Sequence, residues 1–131
     1  MFILELYHRQ TKREAYAYNY VMRDEANEQR LISGIECSSD TALEEFCYPK
    51  QKYGKEDSRS YYHIMQSFSL HDNLTPETAQ EIRLTFTEYF PDYQILVTPH
   101  YNTGYIHNHL MINSINHQNG KNSHQNRGNF L

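Results

Sequence analysis

Three histidines, His100, His107 and His109, fall in the segment VTPHYNTGYIHNHLMINS at offsets of zero, seven and nine residues. Imidazole is the commonest side-chain metal ligand, and three on one surface can hold a divalent ion while leaving positions open for a substrate. The spacing supplies such a surface. Alternate residues of a strand point the same way, so His107 and His109 converge if HNHLMINS is a strand. The apolar run YQILV before His100 reads as another strand. Tyr101 to Ile106, with Asn102 and Gly104, reads as a turn, and the antiparallel hairpin it makes returns His100 opposite the other two. The ordinary alternative is three packed or surface histidines in a chain that has eight.

The elements that must carry these residues follow an alternating plan. FILELYH is a strand candidate. TKREAYAYNYVMRDEA lacks Gly and Pro and suits a helix, with Thr11 and Glu14 as a capping box. RLISGIEC is a short strand or extended loop around Gly34. SSDTALEEFCYPK is a helix capped by Ser39 or Asp40 and ended by Pro49. After the polar linker QKYGKEDSRS, YYHIMQSFS reads as a strand. LTPETAQEIRLTFTEYF opens with Thr75 as cap and Pro76 at the first helical position, and Ala79, Ile82, Phe86 and Phe90 recur near a helical period. The class is α+β, a central, mainly antiparallel sheet flanked by helices. HQNGKNSHQNRGNFL has no core-forming period.

Composition narrows the field. A chain of 131 residues makes one domain with one core. No apolar stretch is long enough to span a bilayer, and MFILELYHRQ is not a signal peptide, so the expectation is a cytoplasmic protein with no membrane partner. Cys37 and Cys47 fit neither a disulfide framework nor a zinc ribbon. The net charge of -4 argues mildly against nucleic acid, yet the last carboxylate side chain is that of Asp92, so the histidine-bearing end is the less negative one. Twelve tyrosines supply stacking surfaces or ordinary filling.

The order TKREAYAYNYVMRDEANEQRLISGIEC, YYHIMQSFS, LTPETAQEI and LVTPHYNTGYIHNHLMINSINHQNGKN resembles the nuclease domain of conjugative relaxases, specifically the relaxase/mobilisation nuclease family related to the MobP-type enzymes of the HUH endonuclease superfamily. The resemblance covers about residues 2 to 125. The letters His-Asn-His also suggest the HNH nucleases, but there the three residues are dispersed through a ββα-metal unit. HUH enzymes carry two histidines around a hydrophobic residue; here the middle residue is Asn108, a departure expected to matter little because its side chain faces away from the metal. Family members are much longer, so the expectation is an excised domain or a truncated form, with residues 1–115 as the nuclease domain and 116–131 as a polar, flexible tail.

The resemblance implies roles residue by residue. His100, His107 and His109 match the ligands of a divalent ion, Mg or Mn in function; an all-imidazole set would also take Ni, Co or Zn. Tyr20, followed by Val21, matches the nucleophile. Tyr16 shares its helical face and Tyr18 lies between them, and all three have ordinary packing as an alternative. Ser67, in Gln66–Ser67–Phe68, matches a residue that touches DNA near the cut. The family has a carboxylate two positions after the first histidine, where this chain has Asn102; a group there would orient a ligand or help deprotonate the tyrosine. The implied function is strand-specific nicking of single-stranded DNA at an origin of transfer through a covalent 5′-phosphotyrosine, alongside accessory proteins and a coupling protein in a bacterium. Two other readings stand beside it: a non-catalytic DNA-binding module of relaxase ancestry, and a metal-dependent phosphodiesterase in which water attacks.

Overall fold

Alternating apolar and β-branched residues favour strands, and their pairing builds one antiparallel sheet. The computed structural model describes residues 2–9, 32–56, 61–69, 72–102 and 105–122, with backbone alone for 2–9 and 102. Its strands are β1 (Phe2–Arg9), β2 (Ser33–Ile35), β3 (Tyr61–Ser69), β4 (Ile95–Asn102) and β5 (Tyr105–Asn113). They lie in the order β1-β3-β5-β4-β2, and every neighbouring pair is antiparallel. The described helices are α1 (Ala42–Lys52) and α2 (Pro76–Thr87). This is the α+β class expected from the sequence.

Strand parity sorts the core into two layers. Leu96, Met111 and Tyr61 point to one face, where Ala42 and Phe46 of α1 cover them. Ile95, Val97, Ile64, Leu110 and Ile112 point to the other, against Phe90, Tyr93 and the partly buried Phe86 of α2. Burial of each large side chain contributes about 2–3 kcal/mol. The sheet is therefore fixed from both sides, and β5 and β4 run through its middle.

Local signals account for most element ends. The Thr75 hydroxyl accepts from the Thr78 amide at 3.1 Å, with Pro76 in the first turn, as its sequence anticipated. The start of α1 differs from expectation. Neither Ser39 nor Asp40 caps it; these residues form a short 3-10 turn with Thr41, and Glu45 reaches back to accept from the Ser38 amide at 2.8 Å and the Thr41 hydroxyl at 2.7 Å. A carboxylate can satisfy both donors where a short hydroxyl on the turn cannot.

Pro49 does not end the helix: α1 continues through it to Lys52. A proline there forgoes one backbone bond and crowds the preceding turn. Two buried side chains supply donors nearby, Lys50 Nζ and Asn113 Nδ2, which reach the Phe46 carbonyl at 3.3 and 3.0 Å. Lys50 also donates to Asn113 Oδ1 at 2.7 Å. This polar tie fastens the proline-containing turn to β5, so tertiary contacts override the local break.

At Gly34 in β2 a Cβ would come 2.1 Å from the Cys37 carbonyl oxygen, so only glycine fits this edge. Beyond β5, residues 116–122 form a hydrogen-bonded turn. Asn116 Oδ1 accepts from the amides of Gln118 and Asn119, and Ile115 bridges Asn122. Tyr53 and Lys55 donate to the carbonyls of Gln118 and Gly120, tying the turn to the end of α1. The helix expected over 11–26, with Tyr16, Tyr18 and Tyr20, lies outside the described residues, as does the tail from residue 123.

Candidate active site

The hairpin expected between the histidine strands is present, and it is longer than the sequence suggested. β4 continues to Asn102 and β5 resumes at Tyr105, with those two residues paired. In this register His100 lies directly opposite His107, and Thr98 opposite His109, so the three histidines share one face. His100 and His109 are 1 % and 3 % exposed, whereas His107 is half-buried.

The His100 and His109 rings are 4.1 Å apart between centroids, and those of His107 and His109 are 6.4 Å apart. Two imidazoles on one tetrahedral ion stand about 5 Å apart between centroids. The observed spacings straddle that value. Two of the three imidazoles are buried and the third sits at an open rim, and their donor atoms are not drawn into one tight group in this structure. The rim is marked by Tyr105, 54 % exposed, with its ring 6.2 Å from that of His107.

Register brings Ser67 beside this group, since it pairs with His107 across β3 and β5. Asn102 ends β4, two residues past His100, and only its backbone belongs to the described structure. Tyr20 lies outside the described residues. The structure thus assembles the three histidines and Ser67.

A fourth histidine was not anticipated. His63 on β3 is 5 % exposed, and its Nε2 lies 2.7 Å from His109 Nδ1. Its only sequence signal was parity with Ser67 along YYHIMQSFS, and parity cannot reveal which neighbour a strand will face.

Between two site histidines, Asn108 turns to the opposite face and is fully buried there. Its amide donates to Gln66 Oε1 at 3.0 Å and the Ala79 carbonyl at 3.1 Å, and accepts from Arg83 Nη1 at 3.1 Å. Arg83 has no exposed surface. Burial pulls its pKa down from the ordinary guanidinium value, and the neighbouring Tyr101 works in the opposite direction. Asn108 does face away from the histidines, but it is the hub that clasps α2 to the hairpin. Asn108→Leu, which restores the hydrophobic letter, should cost about 3 kcal/mol by leaving Arg83 and Gln66 short of partners. Thermal unfolding should register a drop of roughly 10 °C, largely recovered in Asn108→Leu/Arg83→Met; an unchanged midpoint in the single variant would contradict this role.

Other reactive groups lie elsewhere. Burial, with Glu45 second, pushes the Cys37 thiol up to about 11, which keeps it protonated and poorly nucleophilic at neutral pH. Glu36, Asp92 and His117 bring one donor atom each within 4.8 Å of one another. They sit at the far end of β4, about 17 Å along the strand from His100 by rise per residue, and His117 already meets Glu36 at 2.8 Å.

Comparison with known proteins identifies the family of the chain. A family model described as relaxase, MobA/VirD2-like, nuclease domain matches residues 16–130. The chain is 33 % identical over 118 residues to the protein rlx of Staphylococcus aureus, covering 89 % of this chain and 34 % of the relative. It is also 33 % identical over 93 residues to the group II intron-interrupted relaxase LtrB of Lactococcus lactis, covering 70 % of this chain and 16 % of the relative. No solved structure matches. The chain belongs to the family of MobA/VirD2-like relaxase nuclease domains. It spans about a third of the length of the Staphylococcus relatives, at 34 to 36 %. Among the described residues no helix is long and apolar enough to cross a membrane.

Proposed function

We propose that this domain nicks one strand of single-stranded DNA at an origin of transfer by transesterification, in the bacterial cytoplasm and as part of plasmid or conjugative-element mobilisation. The observation that carries the reading is the paired register of His100 with His107 and of Thr98 with His109, which gathers three imidazoles on one face of a relaxase-family sheet. A divalent ion held there, Mg or Mn in function with Ni, Co or Zn as possible occupants of a purified site, would offset charge on the phosphate oxygens and polarise the scissile bond.

The chain's own residues do the rest. The Tyr20 hydroxyl oxygen attacks phosphorus and gives up its proton. The bond to the 3′ oxygen breaks, and that oxygen leaves as a 3′-hydroxyl. The product is a 5′-phosphotyrosine, which conserves the phosphodiester for later resealing. Tyrosine has an ordinary pKa of about 10, so a proton acceptor near it is needed at neutral pH. Ser67, on the strand beside His107, contacts the DNA close to the cut. The exposed end of the hairpin is the approach for the strand. Relaxosome accessory proteins and a coupling protein complete the assembly.

Labelled single-stranded origin DNA incubated with the domain and Mn(II), then run on a denaturing gel, tests the reading. A free 3′ end with protein attached to the 5′ side supports it. A free 5′ end supports attack by water instead, and tight binding without any cut supports a non-catalytic binding module.

Asn102 gives a narrower test of the same chemistry. If a carboxylate two residues after His100 assists ligand orientation or proton removal, Asn102→Asp should raise the nicking rate or move its pH optimum downward. A pH–rate profile identical to that of the parent protein would assign the work to another group.

A further inference from the structure

We propose that His63 is a positioning residue for the histidine site: one hydrogen bond holds His109 in the tautomer whose Nε2 faces the divalent ion. The inference rests on the metal-binding reading above. Its observation is the 2.7 Å separation between His63 Nε2 and His109 Nδ1, with both side chains buried and the rings 4.9 Å apart.

At this distance one proton lies between the two nitrogens, and there are two ways to place it. If His63 Nε2 carries it, His109 accepts at Nδ1; neutral His109 then holds its own proton on Nε2 and offers no lone pair there. If His109 Nδ1 carries it, His63 Nε2 accepts, and His109 Nε2 is left with a lone pair. Only the second arrangement is compatible with ligation through Nε2. A buried acceptor fixed at 2.7 Å also sets the ring's rotation, which a mobile water would not.

The same contact argues against His63 as a fellow ligand. Its Nε2 is engaged by His109 Nδ1, and an ion on His109 Nε2 would lie on the other side of that ring. His63 on β3 reaches His109 across the sheet on the histidine face, where Met65 is the direct partner of His109. It therefore acts on His109 from the side.

The test compares Mn(II) binding by calorimetry in the full chain carrying His63, His63→Gln or His63→Leu. Leucine removes the acceptor, and binding should weaken roughly 10- to 100-fold. Glutamine offers an amide oxygen to the Nδ1–H and should stay within about threefold of the parent. Zn(II)-loaded protein provides a second readout: nitrogen-15 NMR should show the His109 ring proton on Nδ1 in the parent and glutamine forms. Should His63→Leu fail to fold, His63→Asn, one methylene too short to reach, replaces it. Parent-like affinity in the leucine or asparagine form would overturn the proposal. So would equal loss in both the glutamine and the apolar form with a changed Co(II) absorption spectrum, the mark of a lost ligand. If the parent itself binds no divalent ion, the metal-site reading fails, a result distinct from any difference among variants.

Discussion

Tyr20→Phe should abolish the covalent protein–DNA adduct while folding, divalent-ion affinity and DNA affinity stay near those of the parent; this is the largest expected effect of any single-atom change in the domain. The substitution removes one oxygen, which is the nucleophile in the proposed reaction, and leaves the ring's packing area in place. Tyr16→Phe and Tyr18→Phe should keep the adduct. The measurement is a denaturing gel of labelled origin DNA with and without protease treatment. An adduct that vanishes only in Tyr16→Phe would keep the chemistry and move its centre to Tyr16. Cutting by Tyr20→Phe at the parent rate would replace the tyrosine with water.

Loss of a proposed ligand histidine ranks second. His109→Ala should reduce nicking by about 10³-fold or more, because in the proposed reaction several kcal/mol of charge stabilisation at the phosphate would depend on the ion. DNA affinity should change little, since it draws chiefly on phosphate and base contacts spread over the surface. His107→Ala and His100→Ala should behave alike in nicking, while their stability effects should differ. His100 and His109 are nearly fully buried and leave cavities, whereas half-buried His107 does not. Parallel calorimetry with Mn(II) and thermal unfolding separate the two causes. A His107→Ala protein that binds Mn(II) as the parent does would remove it from the ligand set.

Much of the site's frame was legible because strand parity is a local property. YYHIMQSFS reads as β3 with its boundaries intact, and Thr75–Pro76 marks the start of α2 by capping chemistry alone. The hairpin could be drawn because two apolar runs flank a turn-like segment. Its length could not, since Asn102 and Gly104 mark a turn locally, and the strand structure of residues 101 and 102 comes from pairing with 106 and 105. The course of α1 past Pro49 was hidden for a similar reason: the Lys50–Asn113 contact joins residues 63 positions apart. Reading Asn108 as a neutral departure captured its direction and missed its partners, because Arg83 reaches it from a helix whose sequence shows only a polar letter at that place.

The alternation of His107, Asn108 and His109 has a consequence for how errors in assembly are rejected. A slip of β5 by one residue would turn both histidines toward α2 and drive Asn108 to the other side. That shift would remove the hub between Gln66, Ala79 and Arg83 and leave a buried guanidinium facing imidazoles, a penalty larger than the loss of the site alone. The asparagine thus acts as a parity check on the strand. Single-residue insertions or deletions within the paired stretches 100–102 and 105–107 should fail by misfolding before they fail by inactivity, whereas a change between them leaves the paired register as it is. Length variation in this hairpin is accordingly confined to its tip, whatever DNA that end must accommodate.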